Sequence, residues 1–387
     1  MKMGKRIKRF LADEIEQYKI SRYKALEINN AKDPRRLEIS STVPLSPMQK
    51  KEIDEFYLKN YGQKIPYDWH RNYFAHSGKY DKAYFPELLY IPEFERYMNC
   101  HHEYEVVFAD KNVLPYLAKS IGVKTPEVVL SATRKMLADG TGHRLTKQEA
   151  LTCFSNCGEV FIKPSIDSCS GRGCFIANFV DGNDVLSGQT AEQILASLGD
   201  NWIMQRRINN HSSISKIYSG SVNTFRIITY RWHEDILHMP IIMRIGKDGA
   251  YLDNAHAGGI FIAVDDDGTL HKEAMTEFNT KYTQHPNTQV IFAEQKIEKL
   301  PLVIEAAKRM HTIIPQLGVV NWDFTIDENG DPLLIEANTK GGSIWLIQMA
   351  HGVGCFGERT PEVLRWMKKM RKIKASDRYK YAYGNDA

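Results

Sequence analysis

The sequence lacks the features that would place it in several specialised classes of protein. Its six cysteines contain no Cys-x-x-Cys pair, which favours reduced thiols over a disulfide framework. Cys100-His101-His102 has no further ligand cluster at zinc spacing. No apolar run is long enough to cross a bilayer, and we expect no amino-terminal signal peptide. These absences favour a cytoplasmic protein.

An excess of charge of one sign is also missing. The net charge of +4 is spread along the chain, which argues against a nucleic-acid partner. Only the two ends, residues 2–9 and 365–380, are more basic than the rest. Solvated helix ends account for both, and a weak attraction to anionic lipid at the inner face of the membrane, or to a polyanionic substrate, is the alternative.

What the chain does have is the composition of an ordinary globular protein. A length of 387 residues suggests two or three domains of about 150 residues each. Residues 1–100 differ from the rest, with an apolar helical stripe over residues 6–26, a helix that Ser46-Pro47 opens, and aromatic-rich segments. The patterns leave three roles open for this region: a helical cap, a substrate-recognition surface or the contact of a homodimer.

Beyond residue 104 the pattern alternates between short strands and helices. It predicts strands at residues 104–108, 127–131, 160–163, 174–179, 202–208, 222–232, 236–245 and 258–264. It predicts helices at residues 110–120, 146–155, 190–198, 300–317 and 361–374. Antiparallel strands dominate the second half, so the order predicts an α+β protein.

Residues 319–342 have the pattern of two strands folded back on each other at Asn329-Gly330. A turn centred there places Asp323 directly opposite Glu336, with Asn338 one step away on the diagonal. Directly opposed residues have Cβ atoms about 4.5–5.5 Å apart, and like charges so placed destabilise a sheet. The pair therefore predicts a cation between the carboxylates, and Asp, Glu and amide oxygens suit Mg²⁺. A solvated polar face of an amphipathic hairpin is the alternative.

Lys163 ends an apolar strand and precedes a loop rich in serine and glycine. A buried lysine needs an anionic partner, and the backbone N–H groups of such a loop can wrap phosphate oxygens. The loop residues of interest are Ser165, Ser170, Gly171, Arg172 and Gly173. The spacing is neither that of a Walker loop nor that of a dinucleotide fingerprint. A plain hairpin loop with a strand-end lysine is the alternative.

Arg226 and Arg244 both lie inside apolar runs of the second half. Arginine is rarely buried without a bidentate anionic partner. A structural ion pair explains one of them, but two arginines close in sequence to Asn254 indicate a cradle for a transferred phosphate and a carboxylate. Farther upstream, the strand at residues 202–208 offers a backbone edge and the Gln205 amide to an adenine ring, with an ordinary strand as the alternative.

The order of these features resembles the ATP-grasp superfamily over residues 105–350. The closer likeness, carried by VNTFRIIT, DNAHAGG and WDFTIDENGDPLLIEANTKGG, is to the sugar-transfer-associated ATP-grasp group of bacterial polysaccharide loci. It implies two α+β subdomains that grip ATP, with an added amino-terminal helical region. The implied divisions are an extension at 1–100, a small α/β subdomain and linker at 101–157, a lid subdomain at 158–210, a catalytic subdomain at 211–352, and a helix with a basic tail at 353–387.

The resemblance also implies what each group of residues binds. Contacts to the ATP phosphates would come from Lys111, Lys163 and the lid loop, residues 165–173. The nucleoside would be held by Gln205, by the backbone of Arg206 and Ile208, and by His211 near the ribose. The γ-phosphate and acyl group would face Arg226, Arg244 and Asn254. Mg²⁺ would be held by Asp323, Glu336 and Asn338. Gln205 departs from the glutamate often found at the hinge, which leaves the preference for ATP over other nucleotides open.

The activity that the resemblance implies is that of an ADP-forming carboxylate–amine ligase that uses ATP and Mg²⁺ and forms an acyl phosphate. By the same resemblance, the product is an amide between an amino acid or other amine and a carboxylated sugar of a bacterial surface polysaccharide. One alternative is an ATP-grasp kinase acting on a sugar or small molecule. Another is a non-catalytic, nucleotide-binding accessory protein of glycan assembly.

Overall fold

A computed structural model describes residues 2–155, 157–167 and 171–385. Its amino-terminal part is helical: α1 (Lys2–Ala31), α2 (Pro34–Ser41), α3 (Pro47–Asn60), α4 (Asp68–Ser77), α5 (Glu87–Leu89), a π-helical turn (Tyr90–Glu95), α6 (Arg96–Met98), α7 (Glu103–Ala109) and α8 (Leu114–Ser120). Ser46 and Gln49 form a reciprocal capping box, which explains why α3 begins at the predicted position. No helix in the described part of the chain is long and apolar enough to span a membrane.

The smaller of two sheets follows these helices. Its elements are β1 (Val128–Thr133), β2 (Met136–Asp139), β3 (Arg144–Leu145), α9 (Lys147–Phe154), β4 (Gly158–Pro164), β5 (Phe175–Val180), β6 (Asn183–Asp184), α10 (Ala191–Ser197) and β7 (Trp202–Arg206). The antiparallel strand order is β3-β2-β1-β7-β4-β5-β6. Because β7 pairs with both β1 and β4, the sheet takes strands from both sides of the predicted boundary between residues 157 and 158. That boundary therefore falls inside one sheet.

The larger sheet and its helices make up the rest. Its elements are α11 (Ser212–Ser215), β8 (Thr224–Trp232), β9 (Asp235–His238), β10 (Ile241–Ile245), β11 (Ile260–Val264), β12 (Leu270–Met275), β13 (Lys281–Tyr282), α12 (Leu300–Thr312), β14 (Val319–Ile326), β15 (Pro332–Asn338), α13 (Trp345–His351) and α14 (Thr360–Met370). Short 3₁₀ turns lie at Ala255–Ala257, Phe292–Glu294, Gly357–Arg359 and Ala375–Tyr381. The strand order is β13-β12-β11-β10-β8-β14-β15, with β9 paired to β8.

Side-chain alternation divides the larger sheet into two faces. On one face, Trp322 and its neighbours pack against α12 in one apolar cluster. On the other face, Tyr230 and its neighbours pack with α3, α4, α13 and α14 in a second cluster. Arg226 and Asp323 belong to this second face, because each is an even number of residues from its apolar members. The amino-terminal extension therefore covers the same sheet face that carries the polar residues of interest.

Several predicted bounds are shifted by a few residues: the helix predicted at 110–120 begins at Leu114, and the one predicted at 361–374 ends at Met370. Three further differences have a clear physical reason. Residues 104–108 belong to helix α7 rather than to a strand, because Tyr104 and Phe108 stack one helical turn apart with ring centroids 5.9 Å from each other. The strand predicted at 236–245 is two strands, because Pro240 between them has no N–H to pair. The helix predicted at 300–317 ends at Thr312, shortly before Pro315.

Candidate functional site

The hairpin of β14 and β15 places two carboxylates opposite each other. Asp323 pairs with Glu336, as predicted, and Asn338 Nδ2 lies 3.4 Å from Asp323 Oδ2 on the diagonal. The turn is one residue longer than predicted, so the pairs nearest to it are shifted. A β-bulge at Ile335, between the Asp323 and Phe324 pairs, shifts the register back. The longer turn and the bulge shift the register in opposite directions, and Asp323 therefore still pairs with Glu336.

The carboxylate of Asp323 is buried and compensated by two arginines. Every residue of β14 is buried, so the hairpin has no solvated polar face on this strand. Asp323 Oδ1 accepts a hydrogen bond from Arg226 Nε at 2.5 Å, and Arg244 Nη2 lies 3.1 Å from its Oδ2. Burial alone would raise the pKa of Asp323, but the two guanidinium groups hold it below its ordinary value. The two arginines thus provide part of the positive charge that was expected from a bound cation.

Arg244 ties the hairpin to the neighbouring strands. Its Nε and Nη2 donate to Thr224 Oγ1 at 3.0 and 2.7 Å, and its Nε lies 3.5 Å from Asp253 Oδ2. Burial alone would lower the pKa of Arg244, but Asp253, Asp323 and Glu336 raise it above its ordinary value. Arg244 is therefore a permanent cation at the centre of this face.

Asp253 is a buried site residue that the sequence analysis missed. Its Oδ2 accepts hydrogen bonds from the backbone N and the Oγ1 of Thr224, at 3.0 and 2.5 Å. Burial raises the pKa of Asp253, although Arg244 opposes this effect. The need of a buried arginine for acidic partners could have pointed to Asp253. The neighbouring Asn254 accepts from His256 N at 3.0 Å and so also caps a 3₁₀ turn.

Two lysines lie next to the Glu336 carboxylate. Lys111 Nζ lies 3.5 Å from Glu336 Oε2, and Lys111 N donates to Ser165 O at 3.0 Å. Lys163 is only 5% exposed. Burial lowers the pKa of Lys163 to about 8, with Glu336 opposing and Lys111 adding to the shift. Among the described residues, no carboxylate forms an ion pair with Lys163, so its charge is only partly compensated.

These groups line one cavity of about 390 Å³ between the two sheets. The predicted residues that line it are Lys111, Lys163, Gly171, Gln205, Arg206, Ile208, Arg244, Asn254, Asp323 and Glu336. Phe161, Ile176 and Cys174, which the sequence analysis did not select, add apolar wall. Gly171 and Leu252 both line the cavity: the φ of Gly171 is +73°, and a Cβ there would lie 2.6 Å from Leu252 Cδ1. The loop thus touches the segment next to Asp253.

Several predicted residues lie elsewhere. Among the described residues, those absent from the cavity lining are Ser165, Arg172, Gly173, His211, Arg226 and Asn338, of which the last two still contact Asp323. Ser170 lies outside the described residues. His211 caps α11 by accepting from Ser213 N. The Arg206 N–H donates to Glu127 O at 2.8 Å, which leaves the Arg206 C=O and the Ile208 N–H as the backbone groups of the predicted adenine contact.

Comparison with known proteins identifies the family. The family described as sugar-transfer associated ATP-grasp matches residues 91–363. No curated protein matches. Similar solved structures include the L-amino acid ligase from Bacillus licheniformis (14% identity, 68% of this chain, 48% of that chain, TM-score 0.38). They also include D-alanyl-alanine synthetase A from Vibrio cholerae (13%, 68%, 64%, 0.38) and the VanG D-Ala:D-Ser ligase from Enterococcus faecalis (14%, 67%, 61%, 0.39). The chain thus spans less than two thirds of each of these proteins. On the family match, the chain belongs to the sugar-transfer-associated ATP-grasp family.

Proposed function

We propose that the protein is an ATP- and Mg²⁺-dependent ligase that activates a carboxylate as an acyl phosphate and joins it to an amine. The observation that carries this proposal is the charge pattern of the cavity. Lys111, Lys163 and Arg244 line it together with the carboxylates of Asp323 and Glu336. Lysine and arginine suit phosphate oxygens, and paired carboxylates suit a divalent cation. Family membership supports the same assignment.

The residues present fit both ATP and Mg²⁺. Lys163 is a buried cation that a phosphate group would compensate. Asp323, Glu336 and Asn338 offer the hard oxygen ligands that Mg²⁺ prefers, and the ion would supply charge neutralisation at the phosphates. Because the arginines occupy Asp323 in the structure, metal binding would require one of these contacts to be shared or released. Metal affinity should therefore be weak without nucleotide.

The protein's side chains would act by binding, orienting and excluding water. Lys111 and Lys163 would hold the phosphates while a carboxylate oxygen of the substrate attacks the γ-phosphorus and ADP leaves. Arg244 would hold the acyl phosphate in the cavity, with Arg226 beside it on the shared Asp323 carboxylate, and the amine would then attack the carbonyl carbon and expel inorganic phosphate. The contact of Gly171 with Leu252 would keep out the water that hydrolyses an acyl phosphate. No protein nucleophile is required.

We further propose that the acid is a carboxylated sugar of a bacterial surface polysaccharide and the amine an amino acid or a similar compound. The sugar-transfer description of the family supports this choice. The reaction would take place in the cytoplasm, at the inner face of the membrane. Free thiols support a reducing compartment. Those in the described part of the chain are Cys100, Cys153, Cys157, Cys174 and Cys355.

An assay with MgATP and arrayed acid–amine pairs tests the proposal by measuring ADP and phosphate. A ligase releases phosphate only when both the acid and the amine are present. A phosphorylated product formed without amine would assign a phosphotransferase instead. Asp323→Asn combined with Glu336→Gln should abolish turnover, while Glu328→Gln with Asp331→Asn, on the exposed turn of the same hairpin, should not. Cellular function that survives the first pair without MgATP binding would indicate an accessory protein.

A further inference from the structure

A second depression lies beside the hairpin, where the amino-terminal extension meets the loop after β15. Its volume is about 430 Å³. We call it the α1 groove and define it by Tyr18, Lys19, Arg22 and Tyr23 of α1, Arg96 of α6, and Lys340 after β15. The amino-terminal extension forms most of the surface of this groove. The ATP-grasp core does not explain the function of the extension, and ligand binding in the groove is a candidate for it.

The α1 groove carries an excess of positive charge. Lys19, Arg22 and Lys340 are exposed, and none of the three forms an ion pair with any described residue. Of the two carboxylates nearby, Glu16 is compensated by Arg96, whereas Glu105 hydrogen-bonds to His102, whose other ring nitrogen accepts from Arg96. Glu16 receives both Nε and Nη2 of Arg96 at 2.8 and 2.5 Å. Glu105, also in the lining, lies 2.8 Å from His102 Nδ1. The three unpaired cations are thus available to an anionic ligand.

The α1 groove adjoins the strand that carries the proposed magnesium ligands. Lys340 comes two residues after Asn338, and the residues on either side of Lys340 are fixed to α7 and to the extension. Thr339 Oγ1 donates to Glu105 O at 2.6 Å. The N–H groups of Gly341 and Gly342 donate to Oε1 and Oε2 of Glu95 at 2.8 and 3.0 Å. A ligand that binds Lys340 is therefore held next to the end of β15.

The walls of the α1 groove combine aromatic rings with cations. Tyr18 is 67% exposed, and Ile15 and Leu26 in the same lining are 54% and 46% exposed, so the groove carries a contiguous apolar strip beside its cations. The Arg96 guanidinium lies 5.6 Å from the ring centroid of Tyr23. Tyrosine offers an apolar face together with a hydroxyl, and the exposed Arg22 can bind a carboxylate with two parallel hydrogen bonds, whereas Arg96 is already engaged by Glu16. This combination suits a chain of sugar rings that carry carboxylates.

We propose that the α1 groove binds a carboxylate-bearing glycan and presents it to the cavity as one of the two substrates to be joined. This assignment rests on the proposed ligase function and extends it, because it gives the extension the task of substrate recognition. The cations would bind carboxylates along the chain, and the tyrosines would pack on the sugar rings. Binding itself needs no ATP and no metal.

Isothermal titration of the whole protein with oligogalacturonate, without ATP, tests this proposal. We expect binding that weakens as salt rises, and no binding of a neutral maltooligosaccharide of equal length. Arg22→Ala combined with Lys340→Ala should weaken binding at least tenfold. Lys272→Ala combined with Lys372→Ala removes the same charge from exposed positions elsewhere and should leave binding unchanged. The Asp323→Asn, Glu336→Gln protein should bind the glycan normally.

Three results would overturn the groove as a glycan site. One is the absence of oligogalacturonate binding by the unaltered protein, and another is an equal loss of binding in the two charge-removing pairs. The third is binding to anionic phospholipid vesicles, lost with Arg22 and Lys340, in place of glycan binding. By contrast, selective glycan binding by a protein that never converts ATP to ADP and phosphate when the acid and the amine are both present would refute the ligase function alone.

Discussion

The pH dependence of nucleotide binding is a sharp test of the cavity, because it follows from one buried side chain. Burial lowers the pKa of Lys163 to about 8, whereas an unperturbed lysine has a pKa of about 10.4. The difference corresponds to about 3 kcal/mol against the charged form. A phosphate beside Lys163 would favour the charged form again. ATP binding should therefore take up a proton above pH 8.

The size of the effect follows from the protonated fraction. With a pKa of about 8, Lys163 is about 90% protonated at pH 7 and about 10% at pH 9. If the charged form binds phosphate, the dissociation constant for MgATP rises about tenfold over this interval, or about 1.4 kcal/mol. The stability of the nucleotide-free protein should change with pH in the opposite direction to its affinity for MgATP. The folded protein loses the Lys163 proton at lower pH than the unfolded chain does, so the contribution of Lys163 to the free energy of unfolding increases from about pH 8 to 10.4.

Isothermal titration with MgATP at pH 7, 8 and 9, in buffers of different ionisation enthalpy, measures both the affinity and the proton uptake. Lys163→Arg stays charged throughout this range, so its affinity should not change with pH, whatever its absolute value. Lys147→Arg, an exposed lysine paired with Glu192, should behave like the unaltered protein. An unaltered protein with constant affinity and no proton uptake at pH 9 would refute the reasoning.

Three further predictions concern stability. Burial raises the pKa of Glu95 to about 8. Between about pH 5 and 8 the folded state therefore holds a proton that the unfolded chain has released, and the free energy of unfolding falls as the pH rises. In chemical denaturation, the free energy of unfolding of Glu95→Gln should depend less steeply on pH between pH 5 and 8, by up to about 1.4 kcal/mol per pH unit. An unchanged slope would contradict this. Thr229→Val leaves Trp322 Nε1 and His311 Nδ1 without their buried partner. It should therefore cost about 2–4 kcal/mol of unfolding free energy, against less than about 0.5 for Thr312→Val on the surface. At Gly342 a Cβ would lie 1.9 Å from Asn321 Nδ2, whereas at Gly199 it meets nothing within 4 Å. Thermal unfolding should therefore show Gly342→Ala to be much less stable and Gly199→Ala nearly unchanged.

The hairpin shows which part of the site could be predicted from the sequence. Alternation along β14 and the Asn-Gly turn are local signals, and together they predicted the pairing of Asp323 with Glu336. The longer turn and the bulge at Ile335 have no such signal, because tertiary contacts determine them. Next to the bulge, Leu334 N donates to Lys124 O at 2.9 Å, and Leu333 bridges to Lys124 from a distant segment. The prediction succeeded although these two details were missed.

Other features depend on contacts that no local pattern reveals. Asp253 joins the site only because β8 and β10 pair so that Arg244 lies opposite Thr224. Along α1, the apolar period was visible, but not which side of the helix is covered. Ile20 is buried, while Ile15 and Tyr18 are more than half exposed. Periodicity identifies a helix and its apolar residues, and only tertiary packing decides which of them face solvent.

The extension is a structural part of the site rather than a separate attachment. Glu95 and Glu87, both fully buried, accept hydrogen bonds from the chain directly after the hairpin. Glu95 binds the N–H groups of Gly341 and Gly342, and Glu87 Oε1 binds those of Ile344 and Trp345. Burying a carboxyl group is unfavourable, and here the cost is offset because its oxygens accept hydrogen bonds from N–H groups that have no strand partner. Without residues 1–100 these N–H groups would lose their acceptors, and the loop that positions Lys340 beside β15 would lose its anchor. The extension therefore determines the geometry between the proposed magnesium ligands and the α1 groove.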